Sequence, residues 1–89
     1  MLDANVWAGG YELDLVLRRG RRLVFCEVKA KSGAGYGDPL EMIGPEKVRR
    51  LTRAAETWLG AHPECAELEA RFEAVGIQGE WLRRIVLVP

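Results

Sequence analysis

Between Tyr11 and Arg18 the chain alternates, with Tyr11, Leu13, Leu15 and Leu17 on odd positions and Glu12, Asp14, Val16 and Arg18 on even ones. A period of two marks a strand with one face toward a core. Residues 22 to 30 form a second strand, apolar on both faces over Leu23, Val24, Phe25 and Cys26, as a strand in the middle of a sheet would be. Arg19 and Gly20 lie between them, so the pair reads as a hairpin. Arginine is a poor first residue for a tight turn that needs positive φ, which leaves open a two-residue turn over 19–20 and a four-residue loop over 19–22. The glycine-rich stretch SGAGYGDP, 32–39, is loop.

Past that loop the period changes to three and four. Val48, Leu51, Ala55, Trp58 and Leu59 make one apolar stripe of a helix that opens with Pro45 in its first turn and Glu46 well placed against the helix dipole. Lys47, Arg50 and Arg53 lie away from the stripe, and Arg49 at its edge. Gly60 ends this helix and Pro63 keeps it from resuming. The acidic stretch 64–70 reads as a short helix, and RFEAVGI and RRIVLVP as two further strands. With a weak strand near residues 2–7 the order is strand, strand, strand, helix, short helix, strand, strand. That order predicts a single α/β domain spanning residues 1–89.

Composition changes this picture little. A chain of 89 residues buries only about 60% of its unfolded surface, so its core is thin and a partner subunit, making a homodimer, is expected. Apolar residues at 48% and charged residues at 29% describe an ordinary soluble globular protein. The longest apolar stretches fall far short of the ~20 residues that cross a bilayer, and no basic segment leads into an apolar export core. A cytoplasmic location with no membrane partner is therefore expected. Cys26 and Cys65 lie in unlike contexts without a Cys-x-x-Cys pair and read as free thiols in a reducing compartment. His62 with Cys65 is half a zinc site whose other half is missing.

Charge is more informative. The net charge is zero, yet residues 18–31 carry Arg18, Arg19, Arg21, Arg22, Lys29 and Lys31 against Glu27 alone. Residues 46–53 set Lys47, Arg49, Arg50 and Arg53 against Glu46, and residues 56–80 set six glutamates against Arg71. A neutral chain polarised in this way is compatible with a nucleic-acid partner and equally with solvated surface charge.

Directly opposed residues of an antiparallel hairpin share a face. A two-residue turn opposes Asp14 to Phe25 and Glu12 to Glu27; the four-residue loop opposes Asp14 to Glu27 and Glu12 to Lys29. Either register places Glu12, Asp14, Glu27 and Lys29 on one face, and a bulge would break this. Like charges within ~4–6 Å raise each other's pKa or demand a cation. Mg²⁺ prefers carboxylate oxygens and keeps several waters, so it resolves the conflict, and a neighbouring lysine can stabilise developing negative charge. The other reading of the same residues is an exposed sheet face with cross-strand ion pairs.

GGYELDLVLRRGRRLVFCEVKAKS resembles the core signature of the PD-(D/E)xK, restriction-endonuclease-like nucleases: an aspartate, then Glu-x-Lys one strand later. The longer pattern NVWAGGYELDLV, LVFCEVKAKS, YGDPLEMIGPEKVRRLTRAAETWL resembles the YraN-like family of small predicted endonucleases, which are similar to archaeal Holliday-junction resolvases. The match runs from about Asn5 to Leu59. It implies a restriction-endonuclease-like core, a mixed central sheet flanked by helices, and Mg²⁺- or Mn²⁺-dependent cleavage of DNA, branched or junction DNA in particular, in repair or recombination. It makes Asp14 and Glu27 metal ligands together with the backbone carbonyl of Val28, Lys29 the catalytic lysine, and Glu12 an auxiliary acid, with Tyr11 as an insertion in the Gly-Gly-Glu-hydrophobic-Asp segment. Lys31, Tyr36, Lys47, Arg49, Arg50 and Arg53 would engage phosphates, which fixes position without reading sequence. Family members usually begin with a helix bearing a glycine–glutamate pair ahead of the segment that here starts at Leu2. The sequence leaves no room for it, so the expected core lacks that helix.

Overall fold

Two-residue turns set the first three strands. The structure, a computed structural model, describes residues 1–31, 44–78 and 81–87, without the side chains of residues 31, 78, 81, 83 and 85. Strand β1 (Asp3–Ala8) meets β2 (Tyr11–Arg19) through Gly9 and Gly10, at φ 58° and 78°. Positive φ at both central residues is the type I′ requirement, whose twist matches that of the flanking strands. Strand β3 (Arg22–Lys31) follows through Gly20 and Arg21, with Gly20 alone at positive φ, 61°. That is the type II′ pattern, with glycine in the first central position. The β2–β3 ladder runs from Leu15 opposite Cys26 to Arg19 opposite Arg22. This is the register of the four-residue loop, closed by one further pair of arginines.

Helix α1 (Pro45–Gly60) carries the chain across to β4 (Glu69–Gln78), which pairs with β3 in parallel, and β5 (Trp81–Leu87) completes the sheet antiparallel to β4. The strand order is β1-β2-β3-β4-β5. This is the mixed α/β arrangement that the resemblance implies. Pro45 and Glu46 open α1 as the sequence predicts. Its end differs. Gly60 lies within the last turn, and Ala61 closes the helix with its N–H on the carbonyls of Thr57 and Trp58. His62, restricted by the ring of Pro63, leaves helical geometry at φ −131°, ψ 67°. The acidic stretch 64–70 is not the helix its composition suggests: a single 3₁₀ turn, Pro63–Cys65, precedes β4.

The core lies between α1 and one face of the sheet. Leu51, Ala54, Ala55 and Trp58 of the helix pack on Leu13, Val16, Leu23 and Phe25. Phe25 is the centre, edge-on to Trp58 at 5.8 Å and stacked on Phe72 at 5.6 Å. Trp58 also donates its indole N–H to Asp3 at 3.1 Å, tying β1 to the helix.

Leu13 and Val16 are both fully buried in this one core, three residues apart. A regular pleat would send them to opposite faces. Partners across β1 repeat the offset: Asp3 stands opposite Val16 and Val6 opposite Leu13, with Asn5 between them at φ 50°. Both strands therefore turn over together around Asn5 and Asp14. On the far side of that break Tyr11 and Leu13 face the helix, and Glu12 is turned to the other face beside exposed Trp7. The expectation that Glu12 shares a face with Asp14, Glu27 and Lys29 fails for this physical reason.

The sheet's other face has no element packed over it among the described residues, yet Val24, Cys26 and Glu73 there are buried. Glu73 holds Arg19 at 2.7 Å and Arg84 at 3.6 Å, one arginine from each side. Long arginine stems laid across apolar strands cover them while the guanidinium groups stay near water.

Candidate functional site

Beyond Leu15–Cys26 the β2–β3 ladder has no further pairs, although β3 continues to Lys31 against β4. Asp14 sits in the gap and accepts the N–H of Val28 on Oδ2 at 2.7 Å. Its side chain thus replaces a missing backbone partner. The N–H and C=O of one strand residue point to the same edge, so the Val28 carbonyl is on the Asp14 side too.

Glu27 follows Leu23 and Phe25 on the helix-covered face and retains only 5% of its accessible surface. A buried carboxylate needs partners. Tyr11 donates its hydroxyl to Oε2 at 2.7 Å, and the Lys29 ammonium stands 3.5 Å from Oε1. Burial, with the hydrogen bond to Glu27 and its charge, pushes the Tyr11 phenol well up, so the hydroxyl stays a donor.

Helix α1 brings a second lysine. Contact with Lys47 is the leading cause that holds the Lys29 proton, supported by the charges of Glu27 and Asp14, and the same contact pushes Lys47 down. The field of Arg50 reaches Tyr11 and Lys47 and is partly neutralised by Glu46, 3.4 Å from its Nε. Arg49 also pairs with Glu46, at 2.7 Å, and is strongly exposed. The stem of Arg53 runs beside Gly9. Asp14, Glu27, Lys29, Lys47 and Arg50 are thereby brought to one end of the helix–sheet interface. Glu12 is not, and Tyr36 and the side chain of Lys31 lie outside the described residues.

Sequence reasoning missed Tyr11 as a member of the cluster, because its place depends on the strands turning over at Asn5 and Asp14. A trace was there nonetheless, since a tyrosine at the end of a strand, beside Gly-Gly, carries a hydroxyl that needs a partner. Lys47, which the resemblance already puts among the phosphate contacts, stands one turn before Leu51, nearer the buried stripe than the sequence reading places it.

Among the described residues no three His, Cys, Asp or Glu side chains are grouped to hold a metal. The oxygen set of Asp14, Glu27 and the Val28 carbonyl nonetheless fits Mg²⁺ or Mn²⁺, since Mg²⁺ is commonly held by one or two carboxylates and keeps the rest of its shell as water. Oδ2 of Asp14 accepts from Val28 and Oε2 of Glu27 from Tyr11, so among the described residues Oδ1 and Oε1 are their oxygens without a short hydrogen bond, Oε1 facing Lys29 at 3.5 Å.

A sequence profile of the uncharacterised protein family UPF0102 matches residues 1–77. A UPF0102 protein of Alkalilimnicola ehrlichii is 39% identical across the whole chain, which spans 73% of that relative. One from Frankia alni is 45% identical over 84% of the chain and 62% of its own length, and one from Xanthomonas oryzae pv. oryzae is 42% identical over 83% of the chain and 65% of its own. The chain spans less than two thirds of the length of these last two relatives.

Proposed function

The chain belongs to the uncharacterised protein family UPF0102, the YraN-like group, and on that footing we propose that it is a divalent-metal-dependent DNA endonuclease. Its substrate in this reading is branched or junction DNA met in repair or recombination, and it works in the cytoplasm as a homodimer. The observation that carries the reading is Glu27, 5% exposed, held between Tyr11 and Lys29 next to Asp14.

Asp14, Glu27 and the Val28 carbonyl would hold Mg²⁺ or Mn²⁺. When bound, such an ion supplies polarisation of a phosphate oxygen and acidification of a water. Lys29, kept protonated by its surroundings, stabilises the charge that develops on the phosphate. Lys47 and Arg50, on the helix above the acids, fix the phosphodiester against them, and Arg53 extends the contact along the strand. No described helix is long and apolar enough to cross a membrane.

The test is incubation of purified protein with four-way junction and linear duplex DNA, with and without Mg²⁺. Cleavage is expected only with metal and preferentially on the junction, and Asp14→Ala or Lys29→Ala should lower it by about 100-fold or more. Absence of cleavage by the wild type, or cleavage by both variants at the wild-type level, sinks the reading. A second reading is a nucleic-acid-binding module of the same fold that does not cut DNA. It is favoured by the engagement of both Glu27 oxygens, by Tyr11 and by Lys29. Salt-dependent DNA binding without metal-dependent cleavage would select it.

A further inference from the structure

Tyr11 reaches Glu27 only because the β1–β2 pair turns over. Ala8 stands opposite Tyr11 across the Gly9–Gly10 turn, and Leu13, the next residue on the same face, is fully buried. That places the phenol against the helix side of the sheet, where its hydroxyl donates to Glu27 Oε2 at 2.7 Å. Glu27 is almost wholly withdrawn from water, so this hydroxyl takes the place of solvent on that oxygen. Its other oxygen, Oε1, faces the Lys29 ammonium at 3.5 Å, an ion pair without a short hydrogen bond. A carboxylate held through one oxygen is oriented by that bond, with one lone pair of that oxygen taken and the other oxygen turned away from it.

We propose that Tyr11 is a positioning residue that sets the divalent-ion preference of the site. By taking one lone pair of Oε2 it biases Glu27 toward single-oxygen ligation through Oε1. This inference rests on the metal-dependent reading above. Single-oxygen carboxylates suit the small, octahedral shell of Mg²⁺ and Mn²⁺, whereas Ca²⁺ takes six to eight oxygens and readily accepts a carboxylate through both. Tyr11 therefore favours the smaller ions twice: it orients the ligand, and it competes for the second oxygen that Ca²⁺ would use. Loss of the hydroxyl should weaken the binding of small ions and relax discrimination against the large one.

The experiment measures free Mn²⁺ by its paramagnetic resonance signal as it is titrated into wild type, Tyr11→Phe and Asp14→Asn without DNA. Competition by Ca²⁺ is then read on the first two. Tyr11→Phe is expected to weaken Mn²⁺ by about 10-fold, the range seen when a group supporting a metal ligand is removed. The ratio of Ca²⁺ to Mn²⁺ affinity should shift several-fold toward Ca²⁺, and Asp14→Asn should lose binding. Tyr11→Met, which removes the hydroxyl and keeps apolar bulk, is the second variant and should shift the ratio in the same direction if the phenylalanine fails to fold. Mn²⁺ affinity within two-fold of wild type in a folded variant overturns the role of Tyr11 and leaves the metal-dependent reading standing. Equal loss for both ions, with no change in their ratio, also overturns it, because a merely structural tyrosine would act that way. No Mn²⁺ binding by the wild type overturns the parent reading and this inference together.

Discussion

Among the described residues two glutamates are buried, and their partners differ in kind. Glu73 faces two guanidinium groups, Arg19 at 2.7 Å and Arg84 at 3.6 Å, both on the same carboxylate oxygen. Glu27 faces a neutral hydroxyl and one lysine at the longer distance of 3.5 Å. The first is compensated from within the fold; the second keeps a negative charge for something else. Glu73→Gln should therefore cost stability, about 1–2 kcal/mol once the exposure of both arginines is allowed for, and leave metal binding unchanged. Glu27→Gln preserves a hydrogen-bond acceptor for Tyr11 and should shift stability by less, about 1 kcal/mol at most. It should also abolish the stabilisation of roughly 2–3 kcal/mol expected for wild type at saturating Mg²⁺. Urea unfolding of wild type and both variants, each with Mg²⁺ and with a chelator, gives these numbers. Equal Mg²⁺ responses in wild type and Glu27→Gln would remove Glu27 from the site. At this scale the Glu-x-Lys spacing on a central strand, legible in the sequence, puts Glu27 and Lys29 together, whereas Glu12 was misplaced and Asp14 meets β3 through the gap in the ladder, at the Val28 N–H, rather than across a shared face. Tyr11 was not legible, since a reversal of the pleat at Asn5 and Asp14 leaves no period to read.

At the scale of elements, the β1–β2 turn and α1 fit each other through Gly9. A Cβ there would lie 2.8 Å from Thr57 Oγ1 and 3.2 Å from the Arg53 carbonyl, whereas at Gly10 it would meet open space. Both residues have positive φ, so alanine at either carries the backbone penalty of roughly 1–2 kcal/mol. Gly9→Ala should exceed Gly10→Ala by a further ~1–3 kcal/mol of overpacking, and Thr57→Ala should return part of that difference and none of the backbone term. A double-mutant cycle in urea checks this, and equal losses at the two glycines would refute the close approach. The helix itself was well marked at its start, where Pro45 and Glu46 suit a first turn, and poorly at its end. Glycine at 60 resembles a cap, yet the chain continues through it and stops where Pro63 restrains His62. The stretch after it misleads for a related reason. Buried Cys65 and half-buried Leu68 are three residues apart and imitate helical spacing, while one 3₁₀ turn is all that fits before Glu69 takes its place beside Arg22.

For the molecule as a whole, the balanced charge of the sequence is misleading because cations on the two faces of the sheet have different surroundings. On the helix side, Lys47, Arg50 and Arg53 belong to the same helix and lead from the Glu27 cluster toward the Gly9 turn. On the opposite side, Arg19 and Arg84 are tied to Glu73 and spend their charge within the fold. A DNA strand lying over the acids would release counterions from the first group and not from the second. Binding of junction DNA, measured by fluorescence anisotropy across a salt series, should show log K falling linearly with log salt, with each phosphate contact adding about 0.9 to the slope. Lys47→Ala, Arg50→Ala and Arg53→Ala should each flatten the slope by about that amount and weaken binding whatever the base sequence. Arg84→Ala removes a charge of the same sign from the same molecule and should leave the slope unchanged. If all four substitutions flatten it alike, the DNA responds to the overall field of the protein, and the path along α1 is wrong; if only the helix residues do, the two faces of the sheet have separate tasks.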